Sequence, residues 1–170
     1  MKVFVKIQIF TLVFIGLVLN SCIEKQTYPD EPIIEYKDFL ISTNAQGFDE
    51  TGYFIISFTD GDGDIGLDQG YTLPPYNPGS QYYYNFFITI YEKNNGVFQE
   101  LSSPYNARIP NVNPEGIDKD LKGDIQIEID LSLFAIVLTN DTIKMDAYIV
   151  DRALNASNTI TTPEFVLNLQ

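Results

Sequence analysis

Residues 53–67, YFIISFTDGDGDIGL, decide the fold and carry the most informative chemistry of the chain. In the first half, Phe54, Ile56 and Phe58 recur at every second position, as in a strand that buries one face. In the second half aspartates alternate with glycines, and both residue types favour turns. The stretch therefore predicts a half-buried strand that ends in an acidic loop.

The same two-residue period recurs along the chain in runs bounded by turn residues. The predicted strands are 33–42, 53–59, 82–93, 96–101, 124–131, 142–151 and 159–169. Asn95 and Gly96 predict a tight hairpin between the third strand and the fourth. The apolar run 131–138, LSLFAIVL, does not alternate and predicts a short helix. Seven strands without a helical crossover predict an all-β fold, an antiparallel immunoglobulin-like β-sandwich.

Composition excludes several functional classes. The 170 residues include 10 Lys and Arg, 23 Asp and Glu, no His and one Cys, with a net charge of −13. This length fits one domain, and a single cysteine cannot form a disulfide framework. Without histidine, imidazole catalysis and His-ligated zinc are excluded. The acidic balance disfavours contacts to phosphates, so we expect no nucleic-acid partner.

The N-terminal residues predict export. Two basic residues, Lys2 and Lys6, lie near the start of the chain, and residues 7–19 carry no charge. This apolar run is shorter than the about 20 residues of a membrane-spanning helix, which favours a removable signal peptide over residues 1–21. The only cysteine, Cys22, follows it directly.

Leu19-Asn20-Ser21-Cys22 resembles the lipobox of bacterial lipoproteins. The resemblance implies that residues 1–21 are removed and that Cys22 carries the lipid, with 22–32 as a tether before a domain over 33–170. The lipid on Cys22 would attach the protein to the membrane, which is then its predicted partner. Ile23 after the cysteine implies sorting to the outer membrane. Loss of Lys2 and Lys6 leaves 8 basic and 23 acidic side chains, a charge of 8 − 23 = −15.

A second resemblance concerns the end of the chain. Residues 148–158, YIVDRALNASN, are similar to the last hairpin of bacterial immunoglobulin-like and fibronectin type III-like domains. As a whole, the chain resembles Bacteroidetes-type lipoproteins with one such domain. This implies a fold and a location in the cell envelope, and it implies no activity.

The Asp-Gly phrase predicts a calcium site. Asp60, Asp62 and Asp64 are spaced like the first three ligands of an EF-hand loop, and Asp68 falls on the ninth position. Ile65 stands where that loop needs glycine and Tyr71 where it needs glutamate, so a calcium-type acidic loop is predicted and not an EF-hand. Asp151 is a candidate additional ligand. The alternative is a solvated turn, since Asp and Gly are common in turns.

Three functions remain open. The first is an anchored module with a structural or interaction role and an unidentified protein or glycan partner. The second is a carbohydrate-binding module that stacks sugars on Tyr82, Tyr83 and Tyr105, although tyrosine is also common in strands for packing reasons. The third is an envelope hydrolase with paired carboxylates. No serine or threonine lies in a recognisable nucleophile motif, so we expect no enzyme.

Overall fold

The structure, a computed structural model, describes residues 27–117 and 119–169. Its nine strands are β1 (Ile33–Thr43), β2 (Asp49–Asp60), β3 (Phe86–Asn94), β4 (Val97–Glu100), β5 (Tyr105–Ala107), β6 (Leu121–Asp130), β7 (Thr142–Ile149), β8 (Ile160–Thr161) and β9 (Phe165–Val166). A 3₁₀ turn, Leu131–Leu133, and one helical turn, α1 (Phe134–Val137), connect β6 to β7.

The strands form two antiparallel sheets that pack face to face. One sheet has the order β1-β2-β6, and the other has the order β4-β3-β7-β8, with β5 paired to β3 and β9 paired to β7. Alternate residues of both sheets point into one shared core. The rings of Phe54 in β2 and Phe86 in β3 meet edge-on across the core, with centroids 5.9 Å apart. The predicted all-β sandwich is therefore confirmed.

Local chemistry explains two connections that the sequence predicts. Asn95 and Gly96 both have positive φ, 50° and 83°, and join β3 to β4 in a tight hairpin. A right-handed strand twist requires such a turn, and Asn and Gly adopt it at low cost. The predicted short helix is present as the 3₁₀ turn and α1, whose Phe134 is buried in the core.

Four predicted strands are wrong in extent. The second begins at Asp49 and not at residue 53, and the fifth begins at Leu121 and not at residue 124. The third begins at Phe86 and not at residue 82, because the buried side chain of Asn85 bonds the backbone of Ile109 through both its oxygen and its nitrogen. The last, predicted over 159–169, is divided into β8 and β9. Between them, Pro163 has no N–H to donate, and the Thr162 hydroxyl accepts from the Met145 N–H. Strand β5 is too short for a periodic signal and was not predicted.

The predicted signal peptide, Cys22 and Asp118 lie outside the described residues. Within the described ranges, no helix is both long enough and apolar enough to cross a membrane.

Removing the ring that joins the sheets should weaken the fold severely. We expect Phe54→Ala to lower the free energy of unfolding by about 3–5 kcal/mol, because it leaves a cavity between β2 and β3. Ile136→Ala is the control: Ile136 is 80% exposed, so its change should stay within about 0.5 kcal/mol. Urea unfolding of the full chain in detergent, followed by circular dichroism, measures both. Equal losses in the two variants would contradict the packing described.

Candidate metal centre

Two rows of core-facing side chains end in aspartates at the same end of the sandwich. In β2 the buried row of alternate residues ends at Asp60, whose side chain is 0% exposed. In β7 the equivalent row reaches Ile149, and the next residue in phase is Asp151, which is 2% exposed. β2 and β7 are inner strands of opposite sheets. Strand periodicity therefore brings a carboxylate from each sheet into the mouth of the core.

The loop after β2 folds back over this mouth. Ile65 is fully buried and belongs to the core, so the loop closes the end of the sandwich. Gly66 has a φ of 91°, and a Cβ atom there would lie 2.1 Å from the carbonyl oxygen of Pro110. Only glycine allows both this backbone conformation and this close approach. Before this turn, the hydrogen bond from the Asp64 N–H to Asp60 Oδ2 brings Asp64 back to Asp60.

Asp60, Asp64 and Asp151 form one cluster. One carboxylate oxygen of each lies within 4.8 Å of the others. The second oxygens accept hydrogen bonds that fix the side chains: Asp60 Oδ2 accepts from the Asp64 N–H at 2.9 Å, and Asp64 Oδ2 from the Ala153 N–H at 2.9 Å. Asp151 accepts at both oxygens from Asn155, at 2.7 and 2.9 Å. The cluster is thus oriented by the backbone of the two connections that meet there.

Three of the acidic oxygens have no donor. The Oδ1 atoms of Asp60, Asp62 and Asp64 are buried, and none of them has a hydrogen-bond partner among the residues that the structure describes. Buried carboxylate oxygens are normally satisfied, because an unpartnered one loses its hydration without replacement. Three such atoms in one five-residue segment concentrate unsatisfied acceptors at the mouth of the core.

The charges of the cluster oppose one another. Burial, together with the nearby charges of Asp62, Asp64 and Asp151, raises the pKa of Asp60 to about 7, although the hydrogen bond from the Asp64 N–H lowers it. Burial, with the charges of Asp151 and Asp62, raises the pKa of Asp64 to about 6. Burial also raises the pKa of Asp151, and the charge of Asp62 adds to this effect. The fully ionised cluster is therefore costly without a cation.

The guanidinium of Arg152 donates hydrogen bonds to the backbone of the loop. Arg152 Nη1 donates to the carbonyl oxygen of Gly66 and to Asn111 Oδ1, each at 3.0 Å. Its charge lowers the pKa of Asp64, but this effect is smaller than those of burial and of the neighbouring acids. Arg152 thus holds the loop over the cluster without neutralising it.

The predicted ligands are only partly brought together. Asp60 and Asp64 lie in the cluster with the additional candidate Asp151, and Asp62 contributes a buried oxygen beside it. Asp68 is exposed, and its carboxylate accepts from Asn111 Nδ2 at 3.1 Å. The linear EF-hand spacing places Asp68 near the site, whereas the folded loop turns away after Ile65. The periodicity of β7 is the sequence signal for Asp151.

The tyrosines predicted to stack sugars, Tyr82, Tyr83 and Tyr105, make different contacts in the structure. The Tyr105 hydroxyl donates to the carbonyl oxygen of Glu128 in the other sheet, at 2.9 Å. The Tyr83 ring lies under the guanidinium of Arg108, 5.2 Å from its centroid. Tyr82 lies in the loop before β3, and no ring contact among the described residues joins these three.

The pKa shifts predict how the metal-free protein responds to pH. In the unfolded chain the pKa of aspartate is about 3.8, whereas Asp60 reaches about 7 in the folded state. Between these values the folded state binds more protons, so its stability falls as pH rises through this range and then levels off. In a chelator, the melting temperature should therefore be higher at pH 5 than at pH 8. Circular dichroism of the full chain in detergent measures it.

Matched variants assign this slope to the cluster. Asp60→Asn should flatten the pH dependence, because the amide keeps the hydrogen-bond acceptor and carries no charge. Asp68→Asn, at the exposed aspartate, should leave it unchanged. A slope that is the same in both variants would show that other acids cause it.

No family model matches this chain, and the comparisons with curated proteins and with solved structures gave no match either.

Proposed function

We propose that this chain is a lipid-anchored module of the bacterial cell envelope, with a structural or interaction role, that binds calcium at one end of its β-sandwich. Asp60, Asp62, Asp64 and Asp151 hold the ion. The observation that carries the proposal is Asp60: its side chain is fully buried, its Oδ1 has no partner among the described residues, and two further carboxylates lie beside it.

The donor set suits a hard cation. The candidate ligands are carboxylate oxygens, and the cluster contains neither histidine nor cysteine. Calcium binds six to eight oxygens at about 2.4 Å, so two of its ligands are at most about 4.8 Å apart. Asp60, Asp64 and Asp151 already satisfy this limit. Magnesium binds at about 2.1 Å in a stricter octahedral geometry and usually keeps several waters, so a site made of several protein carboxylates favours calcium.

The ion would act as a cross-link. Asp60 ends a strand of one sheet, Asp151 follows a strand of the other, and Asp64 belongs to the loop that closes the core. A cation bound by all three ties the sheets together and replaces mutual repulsion by attraction. Extracellular modules of this kind bind calcium at about 10⁻⁴–10⁻³ M, which suits the exported location that the N-terminal sequence predicts.

Calcium should raise the stability of the protein. At about 100 times its dissociation constant, it should stabilise the fold by about 2.7 kcal/mol and raise the melting temperature by about 5–10 °C. Asp60→Asn and Asp64→Asn should lose most of this increase, and Asp68→Asn should keep it. Calorimetric titration of the full chain in detergent, with melting curves, measures both effects. A midpoint unchanged at millimolar calcium would refute the calcium site.

Anchoring should depend on Cys22. We expect Cys22→Ser to abolish the incorporation of labelled palmitate and to move the protein from the membrane fraction to the soluble fraction, because the acyl chains supply the membrane affinity. Ser21→Ala is the control, since alanine keeps a small residue before the cysteine. A Cys22→Ser protein that stays in the outer-membrane fraction would contradict the lipid anchor.

A further inference from the structure

The first described residues of the chain lie directly on the acidic loop that follows β2 and begins at Gly61. Gly61 follows the buried Asp60, and a Cβ atom there would lie 2.4 Å from the carbonyl oxygen of Tyr28 and 2.8 Å from the carbonyl carbon of Pro29. The tether backbone thus passes over the loop in contact with its first residue. A side chain at position 61 would block this approach.

Two further contacts fix the path of the tether. The Tyr28 N–H donates to Asp120 Oδ1 at 3.1 Å, just before β6 begins. At the start of β1, the Asn158 side chain bonds both the N–H and the carbonyl oxygen of Ile34, each at 2.9 Å. Segment 27–32 is therefore held at both ends, and Gly61 lies beneath its first part.

We propose that calcium at the centre docks segment 27–32 on the loop, so that occupancy of the site sets the direction in which the N-terminal chain leaves the domain. This inference rests on the proposed calcium site. Gly61 lies between two candidate ligands, Asp60 and Asp62. The position of Gly61, on which the tether packs, therefore depends on the positions of their carboxylates. A bound cation holds the carboxylates together. Without it, repulsion among the ionised aspartates displaces Gly61 and releases the tether.

Docking changes how far the domain can move from the lipid. Between Cys22 and Thr27 there are 27 − 22 = 5 residue steps, which span at most about 18 Å. Between Cys22 and Ile33 there are 33 − 22 = 11 steps, which span at most about 40 Å. Calcium would thus shorten the free tether by about half and keep the acidic end of the domain close to the membrane.

Hydrogen exchange tests the coupling. The full chain in detergent is compared in millimolar calcium and in chelator by mass spectrometry of peptides that cover residues 27–32. We expect calcium to slow amide exchange there by about tenfold or more. Asp120→Ala removes the acceptor of the Tyr28 N–H, so it should restore fast exchange while calorimetric calcium binding persists.

A glycine pair gives a second, matched test. Gly61→Ala should expose segment 27–32 to exchange in calcium, because the new methyl group collides with the tether backbone. Gly70→Ala should leave the protection intact, since a Cβ atom at Gly70 meets nothing within 4 Å. Should Gly61→Ala fail to fold, Asp120→Ala and the wild-type comparison still decide the question.

The outcomes separate the two proposals. No calorimetric calcium binding by the wild-type chain overturns the calcium site itself. Calcium binding with equal exchange of residues 27–32 in calcium and in chelator leaves the site intact and overturns the coupling. Slower exchange in calcium that is lost in Asp120→Ala and in Gly61→Ala, and kept in Gly70→Ala, supports the coupling.

Discussion

The burial of Asp60 is the constraint on which this end of the molecule depends. Its position follows from β2, since a strand that points Phe54, Ile56 and Phe58 into the core points residue 60 there as well. A carboxylate in such a place needs compensation, and the Asp64 N–H supplies one hydrogen bond for two oxygens. The remaining oxygen, Asp60 Oδ1, is buried without a hydrogen-bond partner among the described residues, and the proposed cation would satisfy it.

The surrounding structure orients the carboxylates and leaves their charge in place. Backbone N–H groups and the Asn155 amide occupy one side of the cluster, and Arg152 donates to loop carbonyls. For the proposed cation such an arrangement is pre-organised, because the carboxylates already lie close together and binding would require little further ordering. It also differs from an EF-hand, in which one continuous loop provides the ligands. In the proposed site the ligands come from both sheets, so calcium binding would be coupled to folding stability.

The sequence predicted what periodicity controls and missed what long-range contacts control. Alternation identified the sheets, and the Asp-Gly phrase identified the acidic loop. The start of β3 depends on a buried amide, Asn85, that bonds a residue far along the chain, and no local pattern reveals this contact. The EF-hand spacing predicted Asp68 as a ligand. In the structure Ile65 packs into the core, and Asp68 lies on the surface, outside the carboxylate cluster. Extending the β7 alternation by one step, to residue 151, places Asp151 on the core-facing side, which the loop motif does not reveal.

The antiparallel register determines which features share an end of the domain. Ile33 pairs with Thr59, so β1 begins where β2 reaches Asp60. The tether, which precedes β1, therefore lies beside the acidic loop that follows β2. Thr51 pairs with Asp130, so the turn after β6 lies at the opposite end, where Ile136 is exposed. In the proposed anchored state, the acidic end therefore lies next to the membrane and the apolar turn points away from it. Because an anionic surface repels ionised carboxylates, neutralising them with a cation favours both the closed loop and the short distance to the lipid.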